Sequence, residues 1–119
     1  MINIKENIKV LSVNDCWKGK RFKTSQYKAY QNLLLYELPD QELPKPPYKI
    51  DFEFGFSSAA SDWDNPVKPL QDIMQKKYKF NDKDIIEAKV KKVIVKKGDE
   101  YFKVRLESLK EEIELNKEK

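Results

Sequence analysis

From Tyr48 to Phe56 the chain alternates without a break: Tyr48, Ile50, Phe52, Phe54 and Phe56 are apolar, with Lys49, Asp51, Glu53 and Gly55 between them. Successive side chains on extended backbone point to opposite faces, so a period of two marks a strand with one buried face. No other segment constrains the fold as tightly, and the remaining elements have to be arranged around it.

Upstream, Ile2 to Val10 mixes apolar and charged residues in rough alternation, which predicts a strand ending near Ser12. Asn14 to Lys23 is polar and basic and is expected to be a loop. Thr24 or Ser25 can cap a helix reaching about Leu38, because Tyr27, Tyr30, Leu34 and Leu38 recur at helical spacing and Pro39 closes the run. Four prolines between residues 39 and 47 make a connector.

Downstream, Ser57 to Asp64 reads as a loop. Asn65 is placed to cap a helix with Pro66 at its first position, running to Lys77, and Pro69 still falls in its first turn. Phe80 to Asp84 is a turn. Ile86, Ala88, Val90 and Ile94 share one strand parity, and Lys96-Lys97-Gly98-Asp99 supplies a hairpin turn. Phe102, Val104 and Leu106 face inward on the returning strand. The order strand, helix, strand, helix, strand, strand predicts an α/β or α+β domain with a mixed sheet and about two packed helices. The expected domain is residues 1–108, and residues 109–119 form a charged tail, helical or frayed. A chain of 119 residues favours one domain whose modest core a dimer interface would supplement.

Composition removes whole classes of chemistry. There is no histidine and Cys16 is the only cysteine, so an intramolecular disulfide, a Cys/His zinc site and a Ser–His–Asp triad are all excluded. A bound metal would have to be a hard cation on oxygen ligands: Mg²⁺, Mn²⁺ or Ca²⁺. The net charge of +4 suits a polyanionic partner without demanding one. No apolar stretch reaches membrane-spanning length and the amino terminus has no secretory pattern, so a soluble cytoplasmic protein is expected.

The segment with chemical content is Ser61-Asp62-Trp63-Asp64-Asn65-Pro66-Val67-Lys68, followed by Asn81-Asp82-Lys83-Asp84-Ile85. On extended backbone Asp62 and Asp64 would point the same way, and two converging carboxylates welcome a divalent cation. Lys68 lies one helical turn beyond Asp64. Asp82 follows the helix, and a strand–helix–strand return is expected to bring it beside the first pair. Taken alone, a D-x-D ahead of a helix is more often a cap, and the glycine and glutamate of an EF-hand are missing.

The run Asp62-x-Asp64-Asn65-x-x-Lys68-x-x-x-Asp72, a helix, then Asn81-Asp82-x-x-Ile85, resembles the RusA family of Holliday junction resolvases. The similarity extends to Lys92, to Ser12-Val13-Asn14, to the basic stretch Lys18 to Lys23, and to Tyr27 and Tyr30. It covers roughly residues 8–106. The resemblance implies metal-binding acids at Asp62, Asp64 and Asp82, and a catalytic lysine at Lys68. It further implies a homodimer and Mg²⁺-dependent paired cuts across a four-way DNA junction, with Mn²⁺ as substitute. By the same resemblance Asn65 caps the helix and orients Asp64, Asp72 holds the Lys68 ammonium, and Lys92 serves DNA binding. The sequence departs from the family pattern at Asn81, which stands where the family has an acid, at Ser61, and at the prolines flanking Lys68. Asp84 is therefore an alternative to Asp82.

Lys18, Lys20, Arg21 and Lys23, interleaved with Trp17 and Phe22, read either as an arm on DNA phosphates or as a solvated loop anchored by its aromatics. Lys76, Lys77, Lys79, Lys83, Lys89 and Lys91 form a second basic region. Trp63 should point away from the two aspartates it separates. Leu70, Ile73 and Met74 belong to the core or to a dimer contact. Three rivals stand beside the resolvase: a nuclease for other branched DNA, a non-catalytic branched-DNA-binding protein, and a structural or interaction protein that uses the charged tail.

Overall fold

The structure, a computed structural model, describes residues 1–19 and 22–110. Strand β1 is Ile2–Glu6, and a 3₁₀ turn at Val13–Asp15 leads to the short pair β2 (Trp17–Lys18) and β3 (Phe22–Lys23). Helix α1 is Ser25–Glu37, β4 is Tyr48–Phe56 and α2 is Val67–Tyr78. A second 3₁₀ turn at Asp82–Asp84 opens β5, Ile85–Ile94, and β6 is Tyr101–Ser108. No helix among the described residues is long and apolar enough to cross a membrane.

The main sheet has the order β1-β6-β4-β5. β6 runs antiparallel to both β1 and β4, while β4 and β5 are parallel, so the expected mixed sheet is present. The parallel pair is built by the β4–α2–β5 crossover, since parallel neighbours need a long connection back to the starting edge. β2 and β3 form a separate two-stranded sheet.

Alternation decides the layering. Tyr48, Ile50, Phe52 and Phe54 of β4, Phe102, Val104 and Leu106 of β6, and Ile2 and Ile4 of β1 are buried in one core. Both helices close that core, α1 through Tyr27, Tyr30 and Leu34 and α2 through Leu70, Ile73, Met74 and Tyr78. The other sheet face carries the intervening charged residues. Thr24 caps α1, its Oγ1 accepting from the Tyr27 amide at 3.1 Å, as the sequence leads one to expect.

Five expectations need correction. The turn at Lys96 to Asp99 does not close a hairpin, because β4 lies between β5 and β6 in the sheet. β1 stops at Glu6 and does not reach Val10. The stretch expected to be a loop from Asn14 to Lys23 contains a 3₁₀ turn and the β2–β3 pair. Helix α2 begins one residue later than its proline signal suggests: Pro66 occupies the cap position and makes no side-chain cap bond. Finally, the apolar parity of β5 does not mean burial. β5 is an edge strand of the sheet, and Ile86 and Ile94 are 57% and 54% exposed. Lys20, Arg21 and the tail beyond residue 110 lie outside the described residues.

Candidate active site

Residues 57–66 link the end of β4 to α2 and carry the first two candidate acids. Three ties hold this loop. Lys92, level with Phe54 in the parallel ladder, donates from Nζ to the carbonyl oxygens of Ala59 (2.7 Å) and Ser61, with the Phe56 ring beside it. The Val13 amide donates to the Asn65 carbonyl at 2.9 Å. The chain turns from Trp63 to Pro66, and the Val67 amide donates to the Asp64 carbonyl at 3.1 Å, closing the last part of that turn.

That turn overrides the spacing argument for Asp62 and Asp64. Two residues apart means same side only on extended backbone. In the turn the two diverge. Asp62 lines a cavity of about 590 Å³ with Ser12, Asp15, Tyr30 and Ser57. Asp64 lines a different, open groove of about 750 Å³ with Trp63, Val67, Lys68, Val90 and Lys92. Asn65 is likewise reassigned: its Nδ2 donates to Asp62 Oδ2 at 3.3 Å, so it steadies Asp62 rather than capping α2 or orienting Asp64.

Lys68 stands on the outer side of the first turn of α2. Its neighbours Pro66 and Pro69 are buried, and their rings belong to the inner side of that turn. A proline costs no hydrogen bond there, because the first amides of a helix have no partner within it. The Lys68 ammonium meets Asp72 Oδ1 at 2.9 Å, one turn on, as the resemblance implied. Its pKa is raised: the hydrogen bond to Asp72 is the largest cause, burial comes next and works against it, and the charges of Asp72 and then Asp82 add to the rise. Lys68 is therefore a firmly protonated cation, suited to donating to an oxyanion and unsuited to removing a proton.

Asp82 approaches from the other direction. In the parallel register Tyr48 is level with Ile85 and Phe56 with Ile94. The loop after β4 and the turn before β5 thus lie at opposite ends of these two neighbouring strands, and the crossover does not by itself deliver Asp82 to Asp62 and Asp64. Lys68 is touched from both sides: Asp64 lines its groove, and the charge of Asp82 contributes to its raised pKa. Asp82 and Asp84 act on different groups. Asp82 is felt by Lys68, whereas Asp84 is felt by the Tyr48 hydroxyl, which burial first and Asp84 second hold above its ordinary pKa.

Among the described residues no group of three or more His, Cys, Asp and Glu side chains is placed to hold a metal ion together. The donor chemistry still suits a hard cation, because the available ligands are carboxylates. Cys16 does not compete for such a role: it is buried, and burial first, with Asp15 and Asp72 after it, pushes its thiol up to about 11.

The structure gives Lys92 an occupation that its strand position did not suggest, as the tether of the acid-bearing loop. The signal was a lysine whose parity matches the apolar residues of its strand, where a charge needs buried carbonyls to satisfy it. Of the expected DNA-binding group, Lys18 lies on β2 and Lys23 on β3. Comparison of the chain with models of known protein families and with curated protein sequences finds no match.

Proposed function

We propose that this protein is a RusA-like, Mg²⁺-dependent endonuclease acting on branched DNA, with the four-way junction as substrate and a homodimer as the working form. The observation that carries the reading is the Asp62-x-Asp64-Asn65-x-x-Lys68 run at the mouth of α2, together with one groove that is shared by Asp64, Lys68 and Lys92 and reached by the field of Asp82.

Mg²⁺ characteristically uses one or two protein carboxylates and fills its shell with waters and substrate phosphate. Asp64 is the acid on the groove, and Asp62 or Asp82 is the second donor in this reading. Such an ion would polarise the phosphodiester and supply an activated water. The chain's own residues do the rest. Asp72 keeps Lys68 charged and aimed, so that its ammonium can stabilise negative charge growing on a phosphate or leaving oxygen. Lys92 fixes the backbone from which Asp64 projects. The exposed face of Trp63 walls the groove.

A second reading, a branched-DNA-binding protein without cleavage activity, draws on the divergence of Asp62 and Asp64 into separate cavities. Cleavage of a synthetic mobile four-way junction, with a fork and a linear duplex beside it, separates the two. Mg²⁺-dependent paired cuts are expected on the junction. Asp64→Asn should lower the rate by at least about a hundredfold while junction affinity stays equal or rises. Binding without cutting at any Mg²⁺ or Mn²⁺ concentration would establish the non-catalytic reading instead.

A further inference from the structure

One cluster lies outside the candidate active site and is built from three elements. Lys23 of β3 and Lys76 of α2 both donate to a single atom, Gln31 Oε1 of α1, at 2.8 and 3.1 Å. Two ammoniums on one neutral oxygen are necessarily close. Each keeps further N–H groups to give, and among the described residues no carboxylate lies within ion-pair distance of either. The nearest acid, Asp72, is already engaged by Lys68.

The surroundings are aromatic. Lys23 Nζ stands 5.2 Å from the centre of the Tyr27 ring, and Trp17, the cross-strand partner of Lys23, meets Tyr27 edge-on at 5.7 Å. Trp17, Lys23, Tyr27, Asp72, Gln75 and Lys76 enclose an open notch of about 380 Å³, and Trp17 is 41% exposed. This arrangement gathers two ammoniums in a notch whose one lining acid, Asp72, is already paired with Lys68, beside a flat surface on which a base or sugar can rest.

We propose that Lys23 and Lys76, drawn together by Gln31, form a phosphate-binding notch beside Trp17 that grips the sugar–phosphate backbone of a nucleic-acid strand away from the point of cutting. Lys68, Asp72 and Lys76 recur every four residues along one side of α2. A strand following the helix from the groove of Lys68 reaches the notch after about 12 Å, at 1.5 Å per residue. The like-charge contact marks Lys23: Lys76 beside it is the main reason, and partial burial the next, that its ammonium sits below its ordinary pKa, with the charge of Asp72 working the other way. An incoming phosphate relieves that repulsion. The identification of the strand as DNA rests on the nuclease reading; the phosphate chemistry of the notch does not.

The test uses the full chain in metal-free buffer, where no cutting can occur. The chain has two tryptophans, so Trp63→Phe leaves Trp17 as sole reporter of the notch. Titration with a four-way junction should shift Trp17 emission. Lys23→Gln and Lys76→Gln should each weaken junction binding about tenfold and flatten the dependence of log affinity on log salt by roughly 0.9 per lost contact. Lys→Arg at either position should largely restore both, and Lys97→Gln, in the β5–β6 turn, should change affinity less than about twofold. Equal losses from Lys97→Gln and Lys76→Gln would reduce the effect to bulk charge and overturn the notch. Silent Trp17 emission would overturn it too. A response to inorganic pyrophosphate but none to DNA would overturn the nucleic-acid assignment. A wild-type protein that shows every expected binding effect yet never cuts with Mg²⁺ or Mn²⁺ would sink the nuclease reading and leave the notch standing. Cutting with a silent notch would do the reverse.

Discussion

β4 and β5 lie side by side in the same direction, and both alternate apolar with charged residues, yet they do opposite work. β4 has a neighbour on each edge and a helical layer on one face, so Ile50, Phe52 and Phe54 are lost to solvent. β5 has β4 on one edge only, and its apolar positions Ile86 and Ile94 stay more than half exposed. Its Ala88, Val90 and Lys92 become the wall of the groove that holds Asp64 and Lys68. The difference teaches that alternation specifies which side of a strand is greasy, while place in the sheet specifies whether that side becomes core or working surface.

Substitutions in four places press on this contrast. Phe54→Ala strikes the fully buried centre of β4 and should cost about 3–5 kcal/mol, read from a denaturant midpoint at constant slope. A loss under about 1 kcal/mol would mean that β4 is not the centre of the core.

Gly55 comes next. A Cβ there would lie 2.4 Å from ring atoms of Tyr101, its cross-strand partner, and that ring is anchored because the Tyr101 hydroxyl donates to Glu53 at 2.8 Å. Gly55→Ala should therefore destabilise by about 1–3 kcal/mol, and Tyr101→Ala in the same chain should remove most of the Gly55→Ala penalty.

Glu53, on the outer face of β4, carries a pH signature. The Tyr101 hydrogen bond, ahead of the nearby lysines Lys103 and Lys91 and against some burial, holds its carboxyl below the ordinary value. A carboxyl depressed on folding stabilises above its unfolded pKa, and that contribution fades as pH falls through the folded one. Glu53→Gln should cost about 1 kcal/mol at neutral pH. In strongly acidic buffer the difference from wild type should vanish, and a gap that persisted there would show that Glu53 acts through packing rather than charge.

On β5 the expectation is near silence. Ile94→Ser and Ile86→Ser should each stay within about 0.5 kcal/mol of wild type when measured on the monomer. A larger loss that grows with protein concentration would show that the exposed side of β5 is covered by a second copy.

Much of the fold was legible because its strongest signals are local. Thr24 ahead of the Tyr27, Tyr30, Leu34 stripe marks α1, the aromatic alternation marks β4, and Phe102, Val104 and Leu106 mark the inner side of β6. The candidate site was legible in its residue types and much less in its geometry. The pairing of Lys68 with Asp72, implied by the resemblance, also agrees with their spacing of one helical turn. The expected convergence of Asp62 with Asp64 assumed an extended backbone, and a turn closed by the Val67 amide intervened. Asn65 kept a polar partner but a different one, because Pro66 took the cap position. Asp82 was expected beside Asp62 and Asp64, but parallel pairing places the two connections at opposite ends of β4 and β5.

By itself the sequence determined the element order, the inner faces of the strands, the oxygen-only donor chemistry and the lysine–aspartate pair on α2. All of these depend on residues within a turn or two of one another, or on residue types that are absent. Tertiary structure alone decided that β5 is an edge, that Lys92 spends its ammonium on the carbonyls of Ala59 and Ser61, and that Lys23 and Lys76 meet at Gln31. Each of those contacts joins side chains far apart along the chain. No local periodicity encodes such a meeting, because it exists only once the sheet register and the packing of the two helices have set the distances.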